Sequence, residues 1–433
     1  MVKVIFLHPD LGIGGAERLI VDAALALKRC KHNVVLYTSH HDTTHCFPET
    51  VDGSLKVNCV GDWLPRSIGG YLMALCVYVR MIYLALYISW FMKVDYDVAI
   101  VDQVSACIPF LYRCKNRKVL FYCHYPDQLL TQRKSLMKKV YRYFIDWLEE
   151  YTTGCADLVL VNSQFTASVF KKTFTSITSN PAVLYPSLDF SKFDACLDVA
   201  LSEFGLKDDY ETLFLSVNRF ERKKNLPLAL YALEHLIYGE LERKEKVKSN
   251  QGKSEASELT QSAKERTLKV DSSKIHLVLA GGYDTCNLEN IQHYNELLKL
   301  CTKLKLDSYV TFLKSPSETC KVNLLRKATS LIYTPDCEHF GIVPIEAMYC
   351  STPVVAVNSG GPKETVLHAS TGFLCRQSSK HFAEAMQSFV DDKTLKTVMG
   401  RAGHQRVIQK FSFDQFSQSL NTIVAHLAEK KQR

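Results

Sequence analysis

The chain has 433 residues, 47% of them apolar, and a formal net charge of +8. At about 100–200 residues per domain, this length predicts two globular domains. The basic residues are spread along the chain without a zinc-finger spacing, which argues against a nucleic-acid-binding protein. A positive charge of this kind favours phosphates, diphosphates or an acidic membrane surface as partners.

The cysteines indicate a reducing compartment. The chain has 15 of them, an odd number with no C-x-x-C pair, and several lie within apolar runs: Cys59, Cys76, Cys107 and Cys123. No N-x-[ST] glycosylation acceptor occurs in the sequence. Because Met1 leads directly into an apolar run, we predict no cleavable signal peptide and a cytosolic location.

Apolar runs alternate with helical patterns through the first half of the chain. The helical pattern Ala16–Lys28 lies among five predicted strands: Val2–Leu7, Val34–Thr38, Val98–Val101, Val119–Cys123 and Leu158–Val161. Such alternation predicts an α/β fold with a doubly wound parallel sheet.

The pattern restarts after a linker near Ser187–Tyr210. The strands predicted there are Thr212–Val217, Ile275–Ala280, Tyr309–Leu313, Leu331–Tyr333 and Pro353–Val357. We therefore expect Rossmann-like domains over residues 1–200 and 206–410, with residues 411–433 forming a helix that packs back on the first. Gly239–Lys274, charged and rich in serine, is predicted to be a flexible insertion, with a docking segment as the alternative.

Ile68–Met92 is apolar on every face and carries Arg80 as its single formal charge. One membrane crossing would separate strands that should pair in one sheet, and two crossings would need about 40 residues. We expect a helix that lies in the membrane interface or re-enters it, and a buried core helix is the alternative.

A glycine-containing turn, Gly14-Gly15, follows the first strand and opens the first helix. Glycine lets the backbone approach a ligand, and a helix N-terminus offers free N–H groups to phosphate. The motif is an imperfect G-x-G-x-x-G, since Glu17 occupies its third glycine position. The second strand also lacks the acidic residue that would bind an NAD ribose, so the sequence argues against a dehydrogenase.

Charged residues follow two predicted strands of the second half. Arg219 and Lys224 could clamp a diphosphate and neutralise a leaving nucleotide, or form a solvated basic loop. Glu338 and Glu346 stand eight residues apart, about 12 Å along a helix, whereas a retaining glycosidase pair is separated by about 5 Å. Each should therefore have its own task, such as binding sugar or ribose hydroxyls, although a glutamate can also satisfy a helix dipole.

The loop Gly360-Gly361 follows another predicted strand, where open α/β sheets bind ligands.

His124 comes directly after a predicted strand of the first domain and either faces a ligand or is structural. Asp95-Tyr96-Asp97 resembles a D-x-D metal motif, but it directly precedes a strand and is better explained as its polar entry. We predict no metal site.

Thr131–Tyr151 is predicted to be an amphipathic helix. Its apolar residues are Leu136, Val140, Tyr143, Phe144, Trp147 and Tyr151, and Lys139 lies on the opposite, basic face. We assign contact with anionic lipid to that face and to the apolar segment before it, with a plain solvated face as the alternative. The residues assigned to the membrane are Tyr71, Leu72, Tyr83, Leu84, Trp90, Lys134, Lys138 and Arg142.

Taken together, Gly14-Gly15, Arg219 with Lys224, Glu338-x7-Glu346 and Gly360-Gly361 resemble glycosyltransferase family 4. The resemblance implies a retaining transferase of the GT-B fold, whose two Rossmann-like domains have the active site in the cleft between them. It also implies a nucleotide-sugar donor and no essential metal.

Longer segments resemble a narrower group, the eukaryotic alpha-1,3/1,6-mannosyltransferases of dolichol-linked oligosaccharide synthesis. They are LHPDLG at 7–12, GDWLPR at 61–66, DQVSACIP at 102–109, IDWLEEYTTG at 145–154 and EHFGIVP at 338–344. This resemblance implies GDP-mannose as donor, a lipid-linked oligosaccharide as acceptor and the cytosolic face of the endoplasmic reticulum membrane. Other transferases of that pathway are implied as possible partners.

The resemblance also implies residue roles. Arg219 and Lys224 should hold the donor diphosphate and Glu346 its ribose, while Glu338 and His124 should act on the sugar as catalytic residues. Gly14, Gly15, Gly360 and Gly361 are expected to help bind the donor. Many family members have glycine at the position of His339, which here should shape a sugar or acceptor pocket.

Three alternatives stay open at this point. A GT-B transferase that uses a UDP sugar shares all the motifs above. A sugar-nucleotide epimerase shares the fold, but its substrates are soluble, which fits poorly with the apolar segment at 68–92. A non-catalytic scaffold would have no reason to keep Arg219, Lys224, Glu338 and Glu346 together.

Overall fold

A computed structural model describes residues 1–112, 117–131, 135–239 and 274–429. The chain divides into two compact units, the first made of Met1–Phe190 with Arg406–Arg433 and the second of Ser191–Gln405. The first unit thus ends ten residues before the predicted boundary at 200, and the chain re-enters it slightly before 411. The predicted insertion lies outside the described residues apart from its two end residues, as does Lys134.

The first unit contains a parallel sheet in the order β3-β2-β1-β4-β5-β6-β7. The five predicted strands are present, and β3 and β7 add two short strands. Their bounds are β1 Lys3–His8, β2 Asn33–Thr38, β3 Val57–Cys59, β4 Val98–Asp102, β5 Lys118–Cys123, β6 Leu158–Val161 and β7 Ala182–Val183.

Helices cover the sheet of this unit. They are α1 Gly15–Arg29, α2 Met73–Leu86, α3 Asp127–Leu130, α4 Leu136–Gly154 and α5 Gln164–Thr173. A π-helical turn, Tyr87–Phe91, continues α2. Ser135 and Ser163 cap α4 and α5 by accepting a backbone N–H in the first turn, as serine commonly does at the start of a helix.

The second unit contains a second parallel sheet, in the order β10-β9-β8-β11-β12-β13. The strands are β8 Thr212–Val217, β9 Ile275–Gly281, β10 Val310–Lys314, β11 Ser330–Tyr333, β12 Val354–Val357 and β13 Gly372–Cys375. The helices are α6 Ser191–Asp194, α7 Pro227–Tyr238, α8 Leu288–Lys303, α9 Glu318–Lys327, α10 Ile342–Tyr349, α11 Pro362–Thr365, α12 Ser379–Asp391 and α13 Thr394–Phe411, whose last residues belong to the first unit.

Both sheets are doubly wound, as predicted. In each, the first strand lies centrally and the strand order reverses beside it, between β1 and β4 and between β8 and β11. Open α/β sheets bind ligands outside the carboxyl ends of the strands at such a reversal. A ligand-binding site is therefore expected at the loops that follow β1, β4, β8 and β11.

The last helix, α14, spans Phe413–Glu429 and belongs to the first unit. Phe416, Leu420 and Val424 are buried there in the same apolar cluster as Leu19 and Ile20 of α1. This contact accounts for the re-entry of the chain into the first unit.

The helix and turn over Met73–Phe91 are long and apolar enough to cross a membrane on length and composition. One side of α2, however, packs into the core of the first unit, where Met81 and Leu84 lie with Val101 of β4 and Phe121 of β5. The packing of one side of α2 against this sheet argues against a membrane crossing. The assignment of Leu84 to membrane contact is wrong, because that side chain is fully buried.

Helix α4 is oriented opposite to the sequence prediction. From Arg142 onward its polar side is buried: Arg142 forms ion pairs of 2.8 Å with Asp127 and with Asp146. The assignment of Arg142 to membrane contact is therefore wrong, since two carboxylates compensate its charge inside the unit. The apolar side faces outward and exposes Leu136, Met137, Val140, Tyr143, Phe144, Trp147 and Tyr151.

Candidate active site

The predicted charged residues of the second unit meet at the carboxyl ends of its strands. A cavity of about 460 Å³ opens there. Arg219 and Lys224 line it from the loop after β8, and Glu338 lines it from the loop after β11. The remaining wall comes from Val217, Asn218, Gly281, Gly282, Ser315, Pro316, Glu318, Lys321, Tyr333, Gly341, Ile342 and Val343.

Lys224 and Glu338 form a largely buried ion pair, with 2.5 Å between Nζ and Oε2. The hydroxyl of Thr334, just after β11, donates to the backbone carbonyl of Lys224 at 2.7 Å and fixes the loop that carries it. Glu338 thus holds the ammonium group in place. An anionic ligand that enters the cavity would compete with this carboxylate for Lys224.

Arg219 is more open than Lys224. Its side chain is largely exposed, and Nη1 lies 3.1 Å from the buried carboxylate of Glu221. An arginine with an exposed guanidinium retains donors for the planar, bidentate recognition of phosphate oxygens. Lys223 also pairs with Glu221, at 3.0 Å, and does not line the cavity.

Glu346 has a different partner from Glu338, as expected of two carboxylates with separate tasks. It lies on α10, is buried, and accepts a 2.9 Å hydrogen bond from Nζ of Lys321 on α9. Burial opposes the charge of Lys321, but attraction to Glu346 outweighs it and raises the lysine pKa. The other oxygen of Glu346, Oε2, is buried without a hydrogen-bond partner among the described residues.

Lys321 and Tyr333 also line the cavity and were not predicted as site residues. Tyr333 ends β11, and burial, with the Glu338 carboxylate beside it, holds its pKa well above the ordinary phenol value. Its hydroxyl therefore stays protonated and can donate. Lys321 lies three residues after Glu318 on a polar helix, a pattern shared by many solvated helices.

Gly360 and Gly361 support the loop of Glu338. Gly360 has a φ of +60°, and a Cβ there would lie 2.4 Å from the carbonyl oxygen of Glu338. The N–H of Gly361 donates to that same carbonyl at 2.7 Å. Only glycine allows the two loops to approach so closely. The structure thus shows these glycines positioning Glu338, and neither lines the cavity.

In the first unit, Gly14 caps α1 and Gly15 begins it. A Cβ added to Gly15 would meet no atom within 4 Å, so the start of α1 is open at this point. The residue after Gly15 is Ala16, and Glu17 is the acidic residue of the first turn. A helix N-terminus is suited to a phosphate or a sugar oxygen, and in α1 the Glu17 carboxylate folds back toward it and accepts a backbone hydrogen bond.

His124, directly after β5, is held by a buried carboxylate. Its Nε2 lies 2.9 Å from Oδ1 of Asp102, the last residue of β4. The other oxygen of Asp102 lies 2.9 Å from Nδ1 of His8, the last residue of β1. Since β1, β4 and β5 are neighbours, the sheet itself brings the three residues together. His124 was predicted from the sequence as a candidate site residue, whereas Asp102 and His8 were not.

The D-x-D motif lies at the other end of the sheet. Asp95 pairs with the side chain of Lys3, and Asp97 accepts from the backbone N–H of Lys3 at 2.9 Å. Both contacts are at the amino end of β1, away from the strand ends described above. Within the described parts of the chain, no group of three or more His, Cys, Asp or Glu residues could hold a metal ion.

Two family models cover most of the chain. Residues 13–192 match the model described as Glycosyltransferase Family 4, and residues 200–406 match that of Glycosyl transferases group 1. The alpha-1,3/1,6-mannosyltransferase ALG2 of Mus musculus is 49% identical over 429 residues, which cover 98% of this chain and 96% of that protein. The chain belongs to this family of mannosyltransferases. It is an enzyme of the glycosyltransferase class.

Further relatives extend the match across eukaryotes. The ALG2 protein of Homo sapiens is 49% identical over the same share of both chains, and that of Dictyostelium discoideum is 45% identical over 98% of each. As members of a glycosyltransferase family, such proteins use a nucleotide-sugar donor and a glycan acceptor.

Solved structures confirm the fold. Sucrose-phosphate synthase from Thermosynechococcus elongatus aligns with a TM-score of 0.71 at 18% identity and covers 99% of this chain and all of its own. WaaG, a glycosyltransferase involved in lipopolysaccharide biosynthesis, aligns with a TM-score of 0.65 at 14% identity over 97% of this chain and 99% of its own. The prediction of a GT-B fold is confirmed.

Proposed function

We propose that this enzyme transfers mannose from GDP-mannose to a dolichyl-diphosphate-linked oligosaccharide, first in alpha-1,3 and then in alpha-1,6 linkage, during N-glycan precursor assembly. The family supports the sugar and the linkages. The observation that carries the reaction type is the cavity in which Arg219, Lys224 and Glu338 meet. A cavity with two cations suits a diphosphate, and carboxylates suit the hydroxyls of ribose and sugar.

In the proposed reaction, the bond from the sugar C1 to the diphosphate oxygen breaks and a bond from C1 to the acceptor oxygen forms on the same face. The proton of the acceptor hydroxyl passes to the leaving diphosphate. Arg219 and Lys224 stabilise the negative charge that develops on GDP. Glu338 is set free from Lys224 when the diphosphate binds, and it then accepts hydroxyl hydrogens of the mannose.

Glu346 takes the ribose in this proposal. Glu346 does not itself line the cavity, but Lys321, which does, holds one of its carboxylate oxygens, and the second oxygen is buried without a hydrogen-bond partner among the described residues. A buried acceptor without a donor destabilises the protein, and this penalty is removed when a ligand donates to it. A ribose hydroxyl would supply that donor. His124 contacts the mannose near the reacting carbon, and Gly14 and Gly15 approach the ligand through their backbone.

Metal-free transfer is part of the proposal. The two cations of the loop after β8 supply the charge that a divalent ion would otherwise bring to the diphosphate. Their separate carboxylate partners, Glu221 and Glu338, keep both side chains near the cavity before the donor arrives.

We also propose that the outer side of α4 lies on a membrane. A contiguous helix face with four aromatic side chains is too apolar for an ordinary solvated surface. Lys138 and Lys139 are exposed at the start of the same helix and suit anionic headgroups. The aromatic residues of this face are Tyr143, Phe144, Trp147 and Tyr151.

The outer side of α2 extends this membrane face. The N–H of Leu75 donates to the hydroxyl of Tyr141 at 3.0 Å, so the start of α2 touches α4. Exposed residues cluster at that start, including Tyr71, Leu72 and Met73. Aromatic rings follow one another along the helix, with Tyr87 against both Tyr83 and Phe91, and Trp90 exposed at its far end. Aromatic side chains of this kind prefer the headgroup level of a bilayer.

These features favour attachment to one leaflet rather than a crossing. We place the enzyme on the cytosolic face of the endoplasmic reticulum membrane, where a lipid-linked acceptor would be within reach. The cysteines support a reducing compartment, because all 14 in the described part of the chain are free thiols.

The test is a transfer assay with the full chain, a panel of nucleotide sugars and a lipid-diphosphate oligosaccharide acceptor. We expect mannose from GDP-mannose to be added twice, and product digestion with linkage-specific mannosidases to show alpha-1,3 before alpha-1,6. Transfer from a UDP sugar alone would replace the donor assignment. No transfer from any donor, in a folded protein that binds none of them, would favour the scaffold instead.

A further inference from the structure

A chain of four ionisable side chains runs along the strand ends of the first unit. Glu17 on α1 lies 3.7 Å from Nε2 of His8, and Nδ1 of His8 lies 2.9 Å from Asp102. Asp102 in turn lies 2.9 Å from Nε2 of His124. This series of four side chains therefore begins in the first turn of the helix opened by Gly15 and ends at His124, the proposed sugar contact.

Its central members are hidden from solvent. Asp102 is 0% exposed and His8 is 1% exposed, while a quarter of the His124 side chain stays accessible. Burial alone would favour uncharged forms of both buried groups. The hydrogen bond to Asp102 and the attraction of the Asp102 and Glu17 carboxylates nevertheless raise the pKa of His8 to about 9, and attraction to both histidines lowers the pKa of Asp102 to about 2. At neutral pH a carboxylate and an imidazolium are thus both buried and charged.

A contribution to stability does not explain why this charged pair is buried. A buried ion pair contributes little net stability compared with apolar side chains of similar volume, which fill the rest of this sheet. It lies where the strand order reverses, between β1 and β4, and charged groups with shifted pKa values in such places often serve function.

The contact with Asp102 determines which nitrogen of His124 remains available. At 2.9 Å the carboxylate of Asp102 favours a proton on Nε2 of His124, which leaves Nδ1 as the nitrogen available to a ligand. The Tyr122 ring lies 4.9 Å from the His124 ring and restricts its rotation. The carbonyl of His124 accepts from the amide of Asn162 at 3.3 Å, which holds the backbone of the same residue.

We propose that Asp102, supported by His8, is a positioning residue for transfer: it holds His124 through Nε2 and so presents Nδ1 to a hydroxyl of the donor sugar. The inference rests on the proposed contact between His124 and the mannose. Asp102 itself touches no substrate in this account. Its effect passes entirely through the orientation and tautomer of His124.

Asp102→Asn tests the proposal, because its amide cannot accept from both histidines. Outer hydrogen-bond partners of metal-binding histidines are typically worth about 10–100-fold, and we expect a loss of similar size in kcat here. The KM for GDP-mannose should change by less than about threefold, because the donor diphosphate is held elsewhere. In a His124→Ala background, Asp102→Asn should cause no further loss, since its effect requires the ring.

Asp157→Asn is the matched control. Asp157 lies at the amino end of the same sheet, pairs with Lys118 at 2.9 Å and accepts from the backbone N–H of Val119. This variant should lower the melting temperature without lowering kcat. If Asp102→Asn does not fold, His8→Gln takes its place, because it removes the supporting charge but keeps a donor toward Asp102.

Two results would overturn the positioning role: an unchanged kcat in Asp102→Asn, or an equal further loss in the His124→Ala background. Full activity of His124→Ala would overturn both this inference and the proposed sugar contact. An impaired His124→Ala with a fully active Asp102→Asn would leave the proposed function intact and remove only the inference.

Discussion

Nη2 of Arg142 lies 2.8 Å from Oδ2 of Asp127, and this ion pair joins the buried side of α4 to the segment that follows His124. A second residue of α4 strengthens this link, since Glu149 accepts the backbone N–H groups of Asp127 and Gln128 at 2.7 and 3.1 Å. The helix that we place on the membrane is therefore bonded to the loop that leads away from the proposed sugar contact. Membrane attachment and the site share one structural element of the first unit.

The exposed apolar face of α4 predicts loss of membrane binding in Phe144→Asp/Trp147→Asp. Both side chains are more than half exposed, so their replacement should leave the melting temperature unchanged. Each large apolar side chain removed from water is worth about 1.5–3 kcal/mol, and the double variant should lose at least about 100-fold in affinity. Co-sedimentation with vesicles that contain anionic lipid measures the change.

Val398→Asp is the control for this experiment. Val398 is equally exposed but lies in the second unit, outside the proposed membrane face. It should bind vesicles as the unaltered protein does. Equal binding by the α4 variant would show that this face is not the attachment site.

Lys224→Ala should reduce transfer strongly, because Lys224 is the buried cation of the cavity. Removing one charge partner of a transition state typically costs about 2.7–4 kcal/mol, or about 100–1,000-fold in kcat. Lys223→Ala is the matched control, because Lys223 pairs with Glu221 and does not line the cavity. Steady-state assays of both variants should therefore differ by at least a hundredfold. Near-normal transfer by Lys224→Ala would rule out its role on the diphosphate.

The metal-free proposal predicts that transfer survives chelation. Arg219 and Lys224 already supply two positive charges to the cavity, so EDTA should leave kcat unchanged. The assay compares initial rates with EDTA alone and with added magnesium or manganese. Activity lost in EDTA and restored by either ion would show that a metal is required.

The strands of both sheets could be predicted because parallel strands buried on both sides are continuous apolar runs. The strands β3 and β7 escaped, since two or three residues such as Ala182–Val183 carry no usable pattern. Strand order was equally invisible, and it is the order that brings His8 and Asp102 beside His124. His8 and Asp102 each end a strand, but nothing in their separate segments shows that β1 and β4 are neighbours.

The orientation of α4 shows a different limit. Periodicity correctly separates its apolar and polar residues, but it does not show which side faces inward. The usual assumption places apolar residues inside, and it fails here because Arg142 pairs with Asp146 and Asp127, while Glu149 accepts from the backbone at 127–128. A buried polar side is stable when each charge has a partner, which only the folded structure can reveal.

The charge on His8 predicts a specific pH dependence of stability. Its pKa is about 9 in the folded protein and 6.5 in the unfolded chain, so folding favours the protonated ring. The stabilisation is complete below pH 6.5 and is lost as pH rises through 9, an effect of about 3 kcal/mol for a fully buried group. His8→Gln should therefore lower the melting temperature most at pH 6, and the difference from the unaltered protein should shrink by pH 9.5. His276→Gln is the control, because burial lowers the pKa of His276 to about 4: its ring is neutral in the folded protein, so this variant should not show its largest destabilisation at pH 6. Melting curves of His8→Gln that stay a constant interval below those of the unaltered protein from pH 6 to 9.5 would show that His8 is not charged in the folded state.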